Sequence, residues 1–119
     1  MARVLLVEDN DDIRDTTALR LELNGHDVVA VADAGAARVV SSEQAFDVAV
    51  LDIQLPDTDG IALLRQMRTA PTTAHLPVVF YTAHSSAEVA ARVAPLAEAY
   101  LPKGPSLNRL LDTITAVLR

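Results

Sequence analysis

The sequence predicts an α/β fold: a doubly wound, five-stranded parallel sheet in the order 2-1-3-4-5. Three observations carry that expectation. Short apolar runs alternate five times with longer helical patterns. Most of the short runs are nearly unbroken Val, Leu, Ala or Ile, the composition of strands covered on both faces. Strands separated by helices of about 10 to 15 residues pair in parallel through right-handed crossovers.

The strands are expected at Arg3–Val7, Asp27–Val31, Asp47–Leu51, Pro77–Thr82 and Ala99–Leu101. The first helix follows Asp9, Asn10, Asp11 and Asp12, whose short polar side chains cap free amides and suit the helix dipole. It stops at Asn24–Gly25, a left-handed cap pair. A second helix covers Gly35 to Gln44 with a weak apolar stripe. The third starts near Asp59, after a turn from Pro56 to Gly60, and sets Ile61, Leu64 and Met67 on one face. Ser85 and Glu88 form a capping box for the fourth, which Pro95 ends. Leu107, Leu110, Leu111, Ile114 and Leu118 mark the last helix at helical spacing.

With 119 residues, half of them hydrophobic, the chain suits one domain with a packed core. The absence of cysteine removes disulfides and thiolate metal sites. No apolar run approaches the roughly 18 residues of a membrane span and no signal peptide opens the chain, so a cytoplasmic, non-membrane domain is expected. A formal charge of −6, without a basic stripe, disfavours direct nucleic-acid binding and favours a small cation as partner.

The chemistry collects at strand ends. Glu8 and Asp9 end the first strand, Asp52 the third and Thr82 the fourth. Lys103, the one lysine among ten basic residues, lies just past the fifth. In the order 2-1-3-4-5, ligands bind beyond the carboxyl ends of the strands near the switch between the first and third. Neighbouring strands lie about 4.8 Å apart, so Glu8 and Asp9 should sit beside Asp52, with Thr82 and Lys103 on the next two strands. Clustered carboxylates with no His or Cys select Mg²⁺, or Mn²⁺, over zinc. Phosphoryl transfer relies on positioning and on cations that hold the peripheral oxygens. Mg²⁺, Lys103 and Thr82 suit that task, with Asp52 as a nucleophile forming an acyl phosphate. Taken singly each residue has an ordinary reading: an acid at a strand end caps a helix, and a threonine there is a turn hydroxyl. The combination in fold order is what points to a site.

Over its whole length the chain resembles a response-regulator receiver domain of a two-component system (CheY-like), a flavodoxin-like (βα)5 fold. The features that carry the resemblance are Glu8 and Asp9 in VEDN, Asp52 in LDIQLPDTDG, Thr82 followed by Ala83, Tyr100, and Lys103. The resemblance implies a phosphoacceptor rather than an enzyme turning over an external substrate. Asp52 takes a phosphoryl group from a sensor histidine kinase or phosphotransfer protein, or from a small phosphodonor. Glu8, Asp9, Asp52 and the backbone carbonyl of Gln54 hold Mg²⁺. Thr82 and Tyr100 act as switch residues that alter the surface of the fourth helix, fifth strand and fifth helix. That surface would serve an output domain, a downstream protein or a phosphorylation-dependent dimer. By the same resemblance Gln54 and His84 control access of water to the phosphoryl group, although an exposed loop histidine accounts for His84 equally well. His26 and His75 read as solvated loop residues. Two departures from the family pattern stand out: Gly104 replaces the proline that usually follows the lysine, and Leu96–Ala97–Glu98 replaces a Gly-Ala-Asp turn.

Two rival functions come from other classes. A phosphatase of the haloacid-dehalogenase type also phosphorylates an aspartate, but it needs an acid where Gln54 stands and a cap insertion for which there is no room. A degenerate receiver would serve only as a protein-binding module. The intact set of Glu8, Asp9, Asp52 and Lys103 argues against it.

Overall fold

A computed structural model describes residues 2–83, 86–104 and 107–119. Among them five strands, β1 (Arg3–Val7), β2 (Asp27–Val31), β3 (Val48–Leu51), β4 (Val78–Thr82) and β5 (Ala99–Pro102), alternate with five helices. The helices are α1 (Asp11–Leu23), α2 (Ala34–Glu43), α3 (Gly60–Thr69), α4 (Ala87–Val93) and α5 (Asn108–Val117). All strand pairs are parallel, in the order β2-β1-β3-β4-β5.

The near-continuous apolar strands divide their side chains by the period of two. Leu5, Val7, Ala49, Leu51, Val78 and Phe80 face one side and pack with Ala34, Ala37, Ile61, Leu64, Met67 and Val93 of α2, α3 and α4. Val4, Leu6, Val48, Val50, Val79 and Tyr81 face the other and meet Leu21 of α1 and Leu110, Leu111 and Ile114 of α5. The weak stripe of α2 is explained by what it buries: Ala34, Ala37 and Ser41, small residues that let the helix lie close to the sheet.

Register carries the fold's central consequence. Val7 stands opposite Leu51, and Leu51 opposite Phe80, so the residues that follow, Glu8 and Asp52, emerge side by side at one edge. Thr82 pairs with Pro102, and the amide of Lys103 donates to the Thr82 carbonyl at 2.8 Å, which carries the lysine to the same edge.

Several boundaries differ from expectation, each for a local reason. Strand β3 begins at Val48 because Asp47 turns its carboxylate back to accept from the Arg3 amide at 2.8 Å. Strand β4 begins at Val78, since Pro77 offers only its carbonyl, which accepts from Ala49 at 2.9 Å. Strand β5 runs one residue further, through Pro102, which is tolerable on an edge strand. The cap of α4 is Ser86, whose hydroxyl accepts from Val89 at 3.1 Å; Ser85, expected in that place, lies outside the described residues. Helix α1 is capped by Asn10 and ends at Asn24, followed by Gly25 at φ 88°, as the sequence suggested. His26 is not a freely solvated group: it is half-buried, and its Nδ1 is shielded from water with no hydrogen-bond partner among the described residues. His75 is exposed.

Candidate functional site

Each site residue owes its place to the end of a strand. Glu8 and Asp52 leave β1 and β3 where the sheet still covers them, and only 3% and 5% of their surfaces are exposed. Asp9, one residue further out, is exposed. Carboxylate oxygens of Glu8, Asp9 and Asp52 all lie within 4.8 Å of one another. Lys103 reaches in from the end of β5. Its Nζ donates to Asp52 Oδ2 at 2.7 Å and pairs with Glu8 Oε1.

Backbone and neighbouring side chains hold these acids in place. The Glu8 carboxylate also accepts from the Asn10 amide at 3.2 Å, and Asp52 Oδ1 accepts from the Gln54 amide at 3.3 Å. From the first turn of α1, Arg14 donates to the Glu8 carbonyl at 3.0 Å and is steadied by Asp11 at 2.6 Å. Sequence reasoning missed Arg14: an arginine six residues past an acid reads as surface charge until the helix turns it back.

The electrostatics follow from crowding. Burial pushes the Glu8 carboxyl above its ordinary value; the Lys103 ammonium and Asn10 amide oppose that rise, and the Asp52 charge adds to it. Burial alone would lower the Lys103 ammonium, but its hydrogen bonds to Asp52 and Glu8 outweigh that effect and hold it above its ordinary value. The lysine therefore stays charged at neutral pH. Two buried carboxylates and a third at the rim form a cluster of hard oxygen donors whose charge one ammonium only partly offsets. Such a set fits a hard divalent cation.

The approach to the cluster is shaped by the β3–α3 turn. A cleft of about 420 Å³ lies between Asp9 and the turn residues Gln54, Leu55, Pro56, Thr58 and Asp59. Gly60 closes the turn, donating to the Ile53 carbonyl at 2.6 Å. A Cβ at that position would overlap the Asp52 carbonyl oxygen, so the turn can fold back only on glycine. Asp59 caps α3 through the Ala62 amide at 2.7 Å.

The other expected residues are placed as follows. Thr82 ends β4, fully buried. Tyr100, half-buried in β5, accepts at its hydroxyl from the Ser86 amide at 3.3 Å, which ties β5 to the start of α4. His84 lies outside the described residues. Asp57 was read only as part of the turn, yet its carboxylate accepts from the amides of Ala34 and Gly35 at 3.0 and 2.9 Å.

Comparison with known proteins bears on the family and the fold. Residues 4–115 match the family described as the response regulator receiver domain. The response regulator protein FleR of Pseudomonas aeruginosa is 38% identical over 114 residues, covering 95% of this chain and 24% of FleR. The virulence transcriptional regulatory protein PhoP of Salmonella typhimurium is 33% identical over 120 residues, covering all of this chain and 53% of PhoP. This chain thus spans from about a quarter to about half of these relatives' lengths. Among solved structures, the chemotaxis protein CheY4 of Vibrio cholerae superposes with TM-score 0.93 at 28% identity, covering 99% of both chains. The non-phosphorylated HemR receiver domain of Leptospira biflexa superposes with TM-score 0.90 at 31% identity, covering 99% of this chain and 94% of that one. With the sheet order, the acid cluster and the lysine in register, the chain belongs to the response regulator receiver domain family.

Proposed function

We propose that this chain is a phosphorylation-dependent signalling switch whose acceptor is Asp52. The observation that carries the reading is the shared lysine: one ammonium bridges the buried carboxylates of Glu8 and Asp52 at the edge where Asp9 adds a third. A carboxylate oxygen of Asp52 attacks the phosphorus of a phosphohistidine on a sensor kinase or phosphotransfer protein. The new O–P bond forms as the P–N bond breaks, and the imidazole leaves with the electron pair. A small acyl phosphate can stand in as donor, its carboxylate then leaving. Mg²⁺, or Mn²⁺, held by Glu8, Asp9, Asp52 and the Gln54 carbonyl, would neutralise charge on the phosphoryl oxygens. Lys103 would hold a second oxygen as it gives up part of its contact with Asp52, and Thr82 is the candidate for a third.

The product carries nearly two negative charges where a carboxylate stood, which biases any two-state packing near Thr82 and Tyr100. The bond from Ser86 to Tyr100 supplies the link to α4, and α4, β5 and α5 form the surface that a downstream protein or an output domain reads. No helix among the described residues is long and apolar enough to cross a membrane, and we place the switch in the cytoplasm. Intact-mass spectrometry after incubation with a small acyl phosphate tests the reading. One added phosphoryl group is expected with Mg²⁺, and none with a chelator or in Asp52→Asn. Full labelling of that variant would overturn it.

A further inference from the structure

We infer that Asp57 is a positioning residue for the acceptor site, anchoring the β3–α3 turn to the start of α2 so that Asp52 and Gln54 face Glu8 and Asp9. The inference rests on the phosphoacceptor reading. Asp57 lies five residues past the acceptor, at the outer end of a turn that is ordered from within. Leu55 donates to the Thr58 carbonyl at 3.2 Å, Gly60 donates to that of Ile53 at 2.6 Å, and Gln54 bridges Asp59. These bonds make the turn one unit, but they do not fix how it sits on the sheet.

Asp57 supplies a link to a different element. Its Oδ1 accepts from Ala34 and its Oδ2 from Gly35, one carboxylate spread across two successive amides. Both amides belong to the first turn of α2, where they have no partner within the helix. The helix's own cap, Asp33, takes the Ala36 amide at 2.7 Å and leaves these two for an outside acceptor. The two amides hold the Asp57 carboxyl below its ordinary value, so it stays charged at neutral pH and suits the positive end of the helix. Helix α2 also packs through Ala34 and Ala37 into the core that contains Leu51, the residue before Asp52. The turn is thereby held from both ends of its path: by β3 at its start and by α2 at its apex.

A carboxylate that did no more than cap α2 would act on helix stability alone, as Asp33 does through the Ala36 amide, and that gives the control. In Asp57→Ala, Mg²⁺ binding should weaken about tenfold, as when a group that orients metal ligands is lost. Hydrogen exchange at the Leu55 and Gly60 amides should quicken in the metal-free protein. Asp57→Asn, which keeps a neutral acceptor, should fall between the two, and it carries the same test if the alanine variant fails to fold. Asp33→Ala should lower the melting temperature while leaving both readouts at the wild-type level. Wild-type affinity and exchange in Asp57→Ala would overturn the inference, as would equal weakening in Asp33→Ala. If the wild-type chain itself binds no Mg²⁺, the phosphoacceptor reading falls instead, and exchange at Leu55 and Gly60 still decides whether Asp57 orders the turn.

Discussion

Lys103 and Asp52, 51 residues apart in the chain, meet at 2.7 Å, and the same ammonium pairs with Glu8. The pairing is a product of register: β1 and β3 end level with each other, β4 and β5 run two residues further, and the lysine stem reaches back across the end of β4. Two acids that would otherwise repel each other out of water share a single cation.

That sharing predicts the effect of removing the lysine. In Lys103→Met the Glu8 and Asp52 carboxylates lose their cation while still buried, a change that costs about 3 kcal/mol. Because burial already raises the Glu8 carboxyl, it can take up a proton in the variant, so the loss should shrink as pH falls. Urea unfolding in chelator at neutral and mildly acidic pH measures both effects. If the acids hold Mg²⁺ as proposed, adding it should restore more stability to the variant than to the wild type, because no ammonium then competes for Glu8 and Asp52. Equal stability of the two proteins at neutral pH would contradict this account.

Gly60 predicts a different failure. An alanine Cβ there would overlap the Asp52 carbonyl oxygen and fall 2.9 Å from the Asp52 carbonyl carbon and 3.1 Å from the Ile53 Cα. All three are backbone atoms of Asp52 and Ile53, so relief requires moving the end of β3. Gly60→Ala should destabilise the fold by about 1–3 kcal/mol and slow phosphate uptake further than the stability loss alone explains. Denaturation paired with labelling rates of the folded fraction separates the two effects.

The tie from Asp57 to α2 predicts an acid-limb signature. Its carboxyl is held below the ordinary aspartate value of 3.8 by the Ala34 and Gly35 amides. A lowered value in the folded state means that the contribution is complete above 3.8 and is lost as pH falls through the folded value. The stability difference between wild type and Asp57→Asn should therefore be constant from neutral pH down to mild acid and then narrow. Thermal unfolding across that range checks it, and a difference that widened on acidification would have the wrong sign.

Much of the architecture was legible because strand burial and helix capping are local signals. Five apolar runs, the Asn24–Gly25 stop and the order of elements sufficed for the sheet, and the shared direction of the parallel strands then brought Glu8, Asp9, Asp52 and Lys103 to one edge. What escaped reading depended on tertiary contact. Nothing in the run from Pro56 to Gly60 shows that Asp57 turns toward α2, because its partners are backbone amides without a sequence signature. Arg14 acts on the Glu8 carbonyl only after α1 sets its direction. Ser86 rather than Ser85 marks the start of α4, since adjacent serines cap equally well until the backbone chooses one. The half-buried ring of His26 likewise depends on how the α1–β2 connection packs, which composition does not encode.

The most direct measurement locates the phosphoryl group itself. After reaction with a small acyl phosphate and Mg²⁺, the protein is digested and the acyl phosphate is mapped by tandem mass spectrometry. The account predicts one modified residue, Asp52, with Glu8 and Asp9 unmodified. A phosphoryl group on any other residue, or none on a folded chain saturated with Mg²⁺, would contradict it.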